Sequence, residues 1–374
     1  MEIYTEQYEP LPFAHDYPIY QCRLYRNRRL DWLCKTFWSL LTDWKNRYFS
    51  RWLQKAASGK KYDIVFCITF STFPLRAAYE FAQLKHLPLY VDLRDIDEQA
   101  PDSQYQHHRQ WWARPFRQWY RNTNIRRRNH ILRQAHMLSS VSLWHITYLR
   151  RYNRNVHLIY NGFDAGMFFP VDVRTGTFEI TYAGRLYEQR MQDPTLLFEA
   201  LAGMQLPDDL RLHFYTSSEG QERIYKLAEH HGIDKRHLLL SPYVPPTEVP
   251  SLLHRSSILL VFSNTAGPAG PHGIMTTKFF EALGVEKPVL CVRSDEECLA
   301  EVIRETNAGL AATTAEEVQN FIREKYREWK QNGFTRQPVR QEQKQLFTRQ
   351  HQARQFEELF LLLIESNPAT DRSS

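Results

Sequence analysis

The chain has 374 residues, 43% hydrophobic and 24% charged, with a net charge of +6. That length allows two ordinary domains, each with its own core, and no apolar run approaches what a bilayer of about 30 Å requires. No N-terminal stretch pairs a charged start with an apolar core as a signal peptide does, and five cysteines without metal-ligand spacing argue for a reducing, cytoplasmic setting rather than a disulfide scaffold.

In chain order, Met1–Pro12 is polar. A helix is expected over Asp31–Ala57, where Leu33, Phe37, Leu40, Trp44, Tyr48 and Trp52 recur at three- and four-residue steps. After Ser58-Gly59, Asp63–Ile68, Leu75–Leu84 and Pro88–Val91 read as strand, helix and strand, a parallel crossover unit. It runs into Asp92-Leu93-Arg94-Asp95.

From Pro101 to Asn155 there are eleven arginines, no lysine and one acid, Asp102. Its helical part, Gln104–Arg133, sets Trp112, Phe116, Trp119 and Tyr120 among Arg114, Arg117, Arg121 and Arg126–Arg128. Such a block seeks anionic partners. A core-facing aromatic stripe and contact with an anionic membrane surface both fit the pattern. Nucleic acid fits less well, because no recognised binding module surrounds the arginines.

A strand at Val156–Tyr160 closes in Asn161-Gly162, and the sequence turns polar after Phe169-Pro170. We therefore expect an acceptor-side domain over residues 1–168 and a second Rossmann-like domain over 169–340. The expected strands of the latter are Ile180–Tyr182, Leu212–Tyr215, Leu238–Leu240, Ile258–Phe262 and Val289–Val292. Helices at Pro194–Met204, Gln221–His230, Glu248–Arg255, Lys278–Leu283 and Glu297–Glu305 lie between them. Residues 341–374 form a final helix, Glu342–Ile364, and a polar tail.

Two such domains face one another across a cleft lined by strand C-terminal ends and helix N-termini, which suits a diphosphate. Gly184-Arg185 follows the strand ending at Ala183, and Arg190 lies five residues on. Thr276-Thr277-Lys278-Phe279-Phe280-Glu281 opens a helix after the Gly267–Gly273 loop, whose small residues let backbone approach phosphate oxygens. Glu281, one turn into that helix, is placed to accept both hydroxyls of a ribose.

These segments resemble glycosyltransferase family 4 and its relatives, retaining enzymes with the GT-B fold, over roughly residues 62–369. Tyr182–Leu186 with Arg190 resembles the family's glycine–arginine loop, and Asp193–Ala200 the helix that follows. Lys278–Leu283 with Lys287–Leu290 resembles the ribose-binding segment. Tyr160–Asp164 with Phe169-Pro170 is similar to the interdomain hinge, and Asn307–Leu310 to a late landmark.

The resemblance implies transfer from a nucleotide sugar to a saccharide or lipid-linked acceptor in surface polysaccharide or lipopolysaccharide synthesis, at the inner face of the cytoplasmic membrane. It implies no metal and no cofactor. Arg185 and Arg190 would stabilise the leaving diphosphate, with Gly184, Thr276, Thr277, Lys278 and Glu281 in the donor site.

Three departures accompany it. Many members carry two glutamates eight positions apart; the earlier position here is Gly273, beside His272. Where several relatives have a histidine after a first-domain strand, this chain has Arg94 and Asp95, both expected to face the cleft and act in catalysis. The opening lacks the apolar strand and glycine loop with which members begin, so an incomplete first domain is expected. A non-catalytic GT-B descendant serving as a binding or scaffold subunit is the alternative reading.

Overall fold

The computed structural model describes residues 1–6, 16–23, 25, 27, 29–34, 43–70, 72–99, 114–267 and 270–366. Every pairing between its named strands is parallel. Parallel strands need crossover connections and cover on both faces, which is why the strand segments are almost continuously apolar.

The first sheet runs β3 (Val65–Thr69), β4 (Leu89–Leu93), β5 (Met137–Ser140), β6 (Val156–Leu158) in spatial order. Helices α2 (Leu75–Lys85), α3 (Arg114–Leu132) and α4 (Leu143–Leu149) make its crossovers. The preceding helix α1 (Trp44–Ala56) packs Phe49 and Leu53 against Phe81 and Ala77 of α2. Residues 29–34 are also helical and 35–42 lie outside the described residues, but α1 starts afresh at Trp44 behind a non-helical N-cap, Asp43, so the single helix expected over Asp31–Ala57 is not continuous.

The opening contains a strand where none was expected. Strand β1 (Ile3–Thr5) pairs with β2 (Ile19–Gln21) in a separate two-stranded sheet. Two strands alone are marginal in water, and side chains anchor this pair. Tyr4 meets Trp52 of α1 edge-on, and Lys60 reaches Glu2 at 2.9 Å.

The second sheet has the order β12-β11-β10-β7-β8-β9. Its strands are β7 (Phe178–Ala183), β8 (Leu210–Tyr215), β9 (Leu238–Ser241), β10 (Ile258–Phe262), β11 (Val289–Val292) and β12 (Gly309–Ala311). The chain enters at β7 in the middle, builds outward to β9, then crosses back to β10, so β7 and β10 flank a topological switch point. In β10, Ile258, Leu260 and Phe262 enter one core with Phe178, Phe198 and Phe214. Leu259 and Val261 enter the other, with Phe279, Leu283 and Val302. That two-residue alternation buries both faces of the strand.

The helices of this half are α5 (Thr195–Ala202), α6 (Ser218–His230), α7 (Val249–Arg255), α8 (Thr277–Val285), α9 (Cys298–Thr306) and α10 (Ala315–Asn332). Helix α10 lay outside the expected elements, although its start and stop are written in the sequence. Thr314 and Glu317 form a capping box, and Gly333 closes the helix with a φ of 79°.

The final helix is not continuous as expected but divides into α11 (Gln341–Gln345) and α12 (Arg349–Glu365). The break exists because Phe163 pairs with it: the Phe163 N–H donates to the Phe347 carbonyl, and Arg349 N–H to the Phe163 carbonyl, each at 2.9 Å. Thr348 then caps α12 by accepting the His351 N–H. Beyond the break, Phe356 and Phe360 pack on Phe66 and Tyr90, so the chain's end returns to the first sheet. Among the described residues no helix is long and apolar enough to cross a membrane.

Candidate active site

The switch point brings the loop after β7 against the helix that follows β10, as open parallel sheets do for their ligands. Gly184 leaves β7 with a φ of 138°, and a Cβ there would lie 2.1 Å from Lys278 Cε. Glycine is thus the residue that lets Lys278 lie across the loop. The Lys278 ammonium also sits over the Tyr182 ring, 5.8 Å from its centre. Burial lowers the pKa of Lys278 and raises that of Glu281, and the attraction between the two opposes both shifts. Thr276 stands at the N-cap of α8 without a side-chain cap bond, and Thr277 is exposed at its first turn.

Arg185 and Arg190 are exposed, one on each arm of the loop after β7. The Arg185 guanidinium lies over the Tyr187 ring, and Tyr182 Oη donates to the Arg185 carbonyl at 2.6 Å. Asn264, just beyond β10, donates to the carbonyls of Gln189 and Arg190, tying the two loops together.

On the facing domain, Arg94 is held rather than free. It pairs with fully buried Asp92, and its second nitrogen donates to the Ile159 carbonyl at 3.2 Å and to Asn161 Oδ1 at 3.3 Å. Asn161 in turn donates to the Met275 carbonyl at 3.1 Å, so Arg94 reaches the second domain through the hinge. Asp95 is exposed, yet ringed closely enough that desolvation raises its carboxyl pKa, against a hydrogen bond from Gln99 Nε2 at 2.9 Å.

Arg349 was not among the expected site residues. It stands at the start of α12, and burial, then repulsion from Arg94, lower its pKa while Glu281 and Asp164 raise it. No spacing rule links positions 281 and 349; the return of α12 to the hinge brings them together. Gly162 permits that return, because a Cβ there would sit 2.8 Å from the Phe347 carbonyl oxygen.

Gly273 also gains a physical reason. Its φ is 61°, and a Cβ would stand 2.5 Å from Ser142 Oγ and 3.1 Å from Trp144 Cβ of the other domain. A glutamate side chain has no room in this seam. His272 stacks on Trp144 at 5.0 Å between ring centres, and its Nδ1 lies 3.1 Å from Glu297.

The basic block divides between surface and interior. Trp119, Arg126 and Arg127 of α3 are exposed, whereas Arg128 is fully buried on Glu98. Trp112 and the side chains of Arg114, Phe116 and Arg117 lie outside the described residues.

Residues 167–346 match the sequence profile of the family described as glycosyl transferases group 1. The chain is thus similar to that family over 180 of its 374 residues, just under half. Its fold is GT-B, as expected. It is similar to sucrose-phosphate synthase of Thermosynechococcus elongatus at 16% identity and a TM-score of 0.60, covering 86% of this chain and 79% of that one. It is similar to HepE of Anabaena in complex with UDP at 15% identity and a TM-score of 0.61, covering 83% and 81%. A glycosyltransferase from Rickettsia africae is matched at 12% identity and a TM-score of 0.60, covering 94% and 86%. At these identities the likeness concerns the fold. No curated protein sequence matches the chain.

Proposed function

We propose that this chain is a glycosyltransferase that binds a nucleoside diphosphate sugar between the β7 loop and α8, and transfers the sugar with retention to a saccharide or lipid-linked acceptor held against Asp95. The observation that carries the reading is the apposition of Gly184 and Lys278, with Glu281 one turn further along α8. Partly desolvated, Lys278 is worth more to a phosphate than an ammonium in bulk water. Glu281 offers acceptor oxygens for ribose hydroxyls.

As the bond between the sugar and the phosphate breaks, charge grows on the departing diphosphate. Lys278, Arg185 and Arg190 stabilise it, doing with side-chain cations what a divalent metal does elsewhere. No cofactor takes part. Asp95 accepts a hydrogen bond from the acceptor hydroxyl, and Arg94 holds the hinge that sets the two halves. The exposed Trp119, Arg126 and Arg127 suit the anionic cytoplasmic face of a membrane, which fits a lipid-linked acceptor in surface polysaccharide or lipopolysaccharide synthesis.

The test is calorimetric titration with UDP, GDP, ADP and dTDP; UDP comes first because HepE was solved with it. Saturable binding of one nucleotide, lost in Lys278→Ala and Glu281→Ala, supports the reading and names the base. A cooperatively folded chain that binds none of the four would sink it and favour a non-catalytic scaffold.

A further inference from the structure

The 3₁₀ turn Asp97–Gln99 is fixed from both domains. On its own side, Arg121 of α3 donates to the Asp97 carbonyl at 2.7 Å. Arg128 pairs with Glu98, which also accepts the Tyr148 hydroxyl at 3.2 Å. From the other side, His272 N–H donates to the Gln99 carbonyl at 2.8 Å. That bond lies in the seam where Gly273 abuts Ser142 and where His272 stacks on Trp144.

The Gln99 side chain is buried, held between His145 and Asp95. His145 is fully buried, and desolvation, together with the charge of Arg128, holds its pKa down to about 3, so the ring is neutral. His145 Nε2 lies 2.6 Å from Gln99 Oε1, and Gln99 Nε2 donates to Asp95 Oδ1 at 2.9 Å. Turning the amide over would set its oxygen against the carboxylate of Asp95. One oxygen of Asp95 thereby accepts the Gln99 amide.

We propose that Gln99 is a positioning residue through which docking of the second domain sets the carboxylate of Asp95. Its main-chain carbonyl senses the His272–Gly273 loop, and its side-chain amide fixes the carboxylate that receives the acceptor hydroxyl. The coupling between the domains stands on the geometry alone, whereas its consequence for transfer rests on the function proposed above.

Hydrogen exchange followed by mass spectrometry on the full chain tests the coupling without substrate. Gly273→Ala places a methyl against Ser142 and opens the seam. The expected result is at least tenfold faster exchange over residues 95–99, across the domain boundary from the substitution. Unchanged exchange there, in a variant whose thermal unfolding stays cooperative, overturns the coupling.

UDP release from UDP-glucose in water tests the consequence. Gln99→Ala is expected to slow release about tenfold or more while UDP affinity stays within twofold of wild type. Gln99→Glu is expected to be slower still at neutral pH, where two carboxylates meet, and to recover as acid protonates the pair. Equal, pH-independent losses in the two variants would assign Gln99 a merely structural part. Absence of UDP binding to the wild type would instead fault the donor reading and leave the exchange result to decide the coupling.

Discussion

Gly184 and Lys278 compete for one volume: the lysine stem occupies the space that a side chain at position 184 would fill. Gly184→Ala must therefore displace Lys278 and strain a backbone with a φ of 138°. Nucleotide affinity is expected to fall at least tenfold with little change in overall secondary structure. Calorimetry and circular dichroism check the two halves of that expectation.

Glu281→Gln removes the charge that ribose hydroxyls would meet. A hydrogen bond to a charged group is worth about 1.5–3 kcal/mol, or roughly ten- to a hundredfold in affinity. The loss should be read in Kd for the nucleotide that binds the wild type, and it should be absent for inorganic pyrophosphate, which has no ribose.

The pH dependence follows from the direction of the Glu281 shift. Its pKa is raised in the folded chain by burial, so its ionisation costs stability as pH rises through the folded value. Relative to wild type, Glu281→Gln should melt higher at neutral pH, and the difference should vanish below the ordinary value of 4.5. Nucleotide binding should run the opposite way, failing as acid protonates Glu281. Melting curves and titrations across pH 4 to about 8 would show both.

Lys344 closes the hinge from below. Its ammonium bonds the Gly284 carbonyl and Glu286 at 2.9 Å each, with both side chains nearly buried. Lys344→Met leaves Glu286 buried without its cation, and a cost of about 3–5 kcal/mol is expected by urea unfolding. The double variant Lys344→Met/Glu286→Gln should recover much of that loss.

Much of the second domain was legible because its signals are local. The run Ile258–Phe262 announces a buried strand from composition alone, and Gly184, Lys278 and Glu281 stand beside elements that periodicity locates. Helix α10 was missed, although Thr314, Glu317 and Gly333 mark its two ends. The strand β1 was not legible: three residues of mixed character carry no period, and Tyr4 and Glu2 hold them in place through distant partners. The aromatic–arginine block misled in part, since Arg128 resembles its exposed neighbours in sequence yet is buried, where it meets Glu98 and Asn129.

By itself the sequence determined the alternation of strand and helix, the GT-B resemblance and the placing of Gly184, Lys278 and Glu281 beside or within their elements, because each depends on spacings within a few turns of chain. Tertiary structure alone decided that Arg349 feels the charges of Glu281 and Arg94, that Gly273 admits no side chain, and that Gln99 stands between His145, Asp95 and His272. Those relationships arise where one domain meets the other. Packing across such a seam is set by shape and burial between segments whose separation along the chain carries no periodic signal.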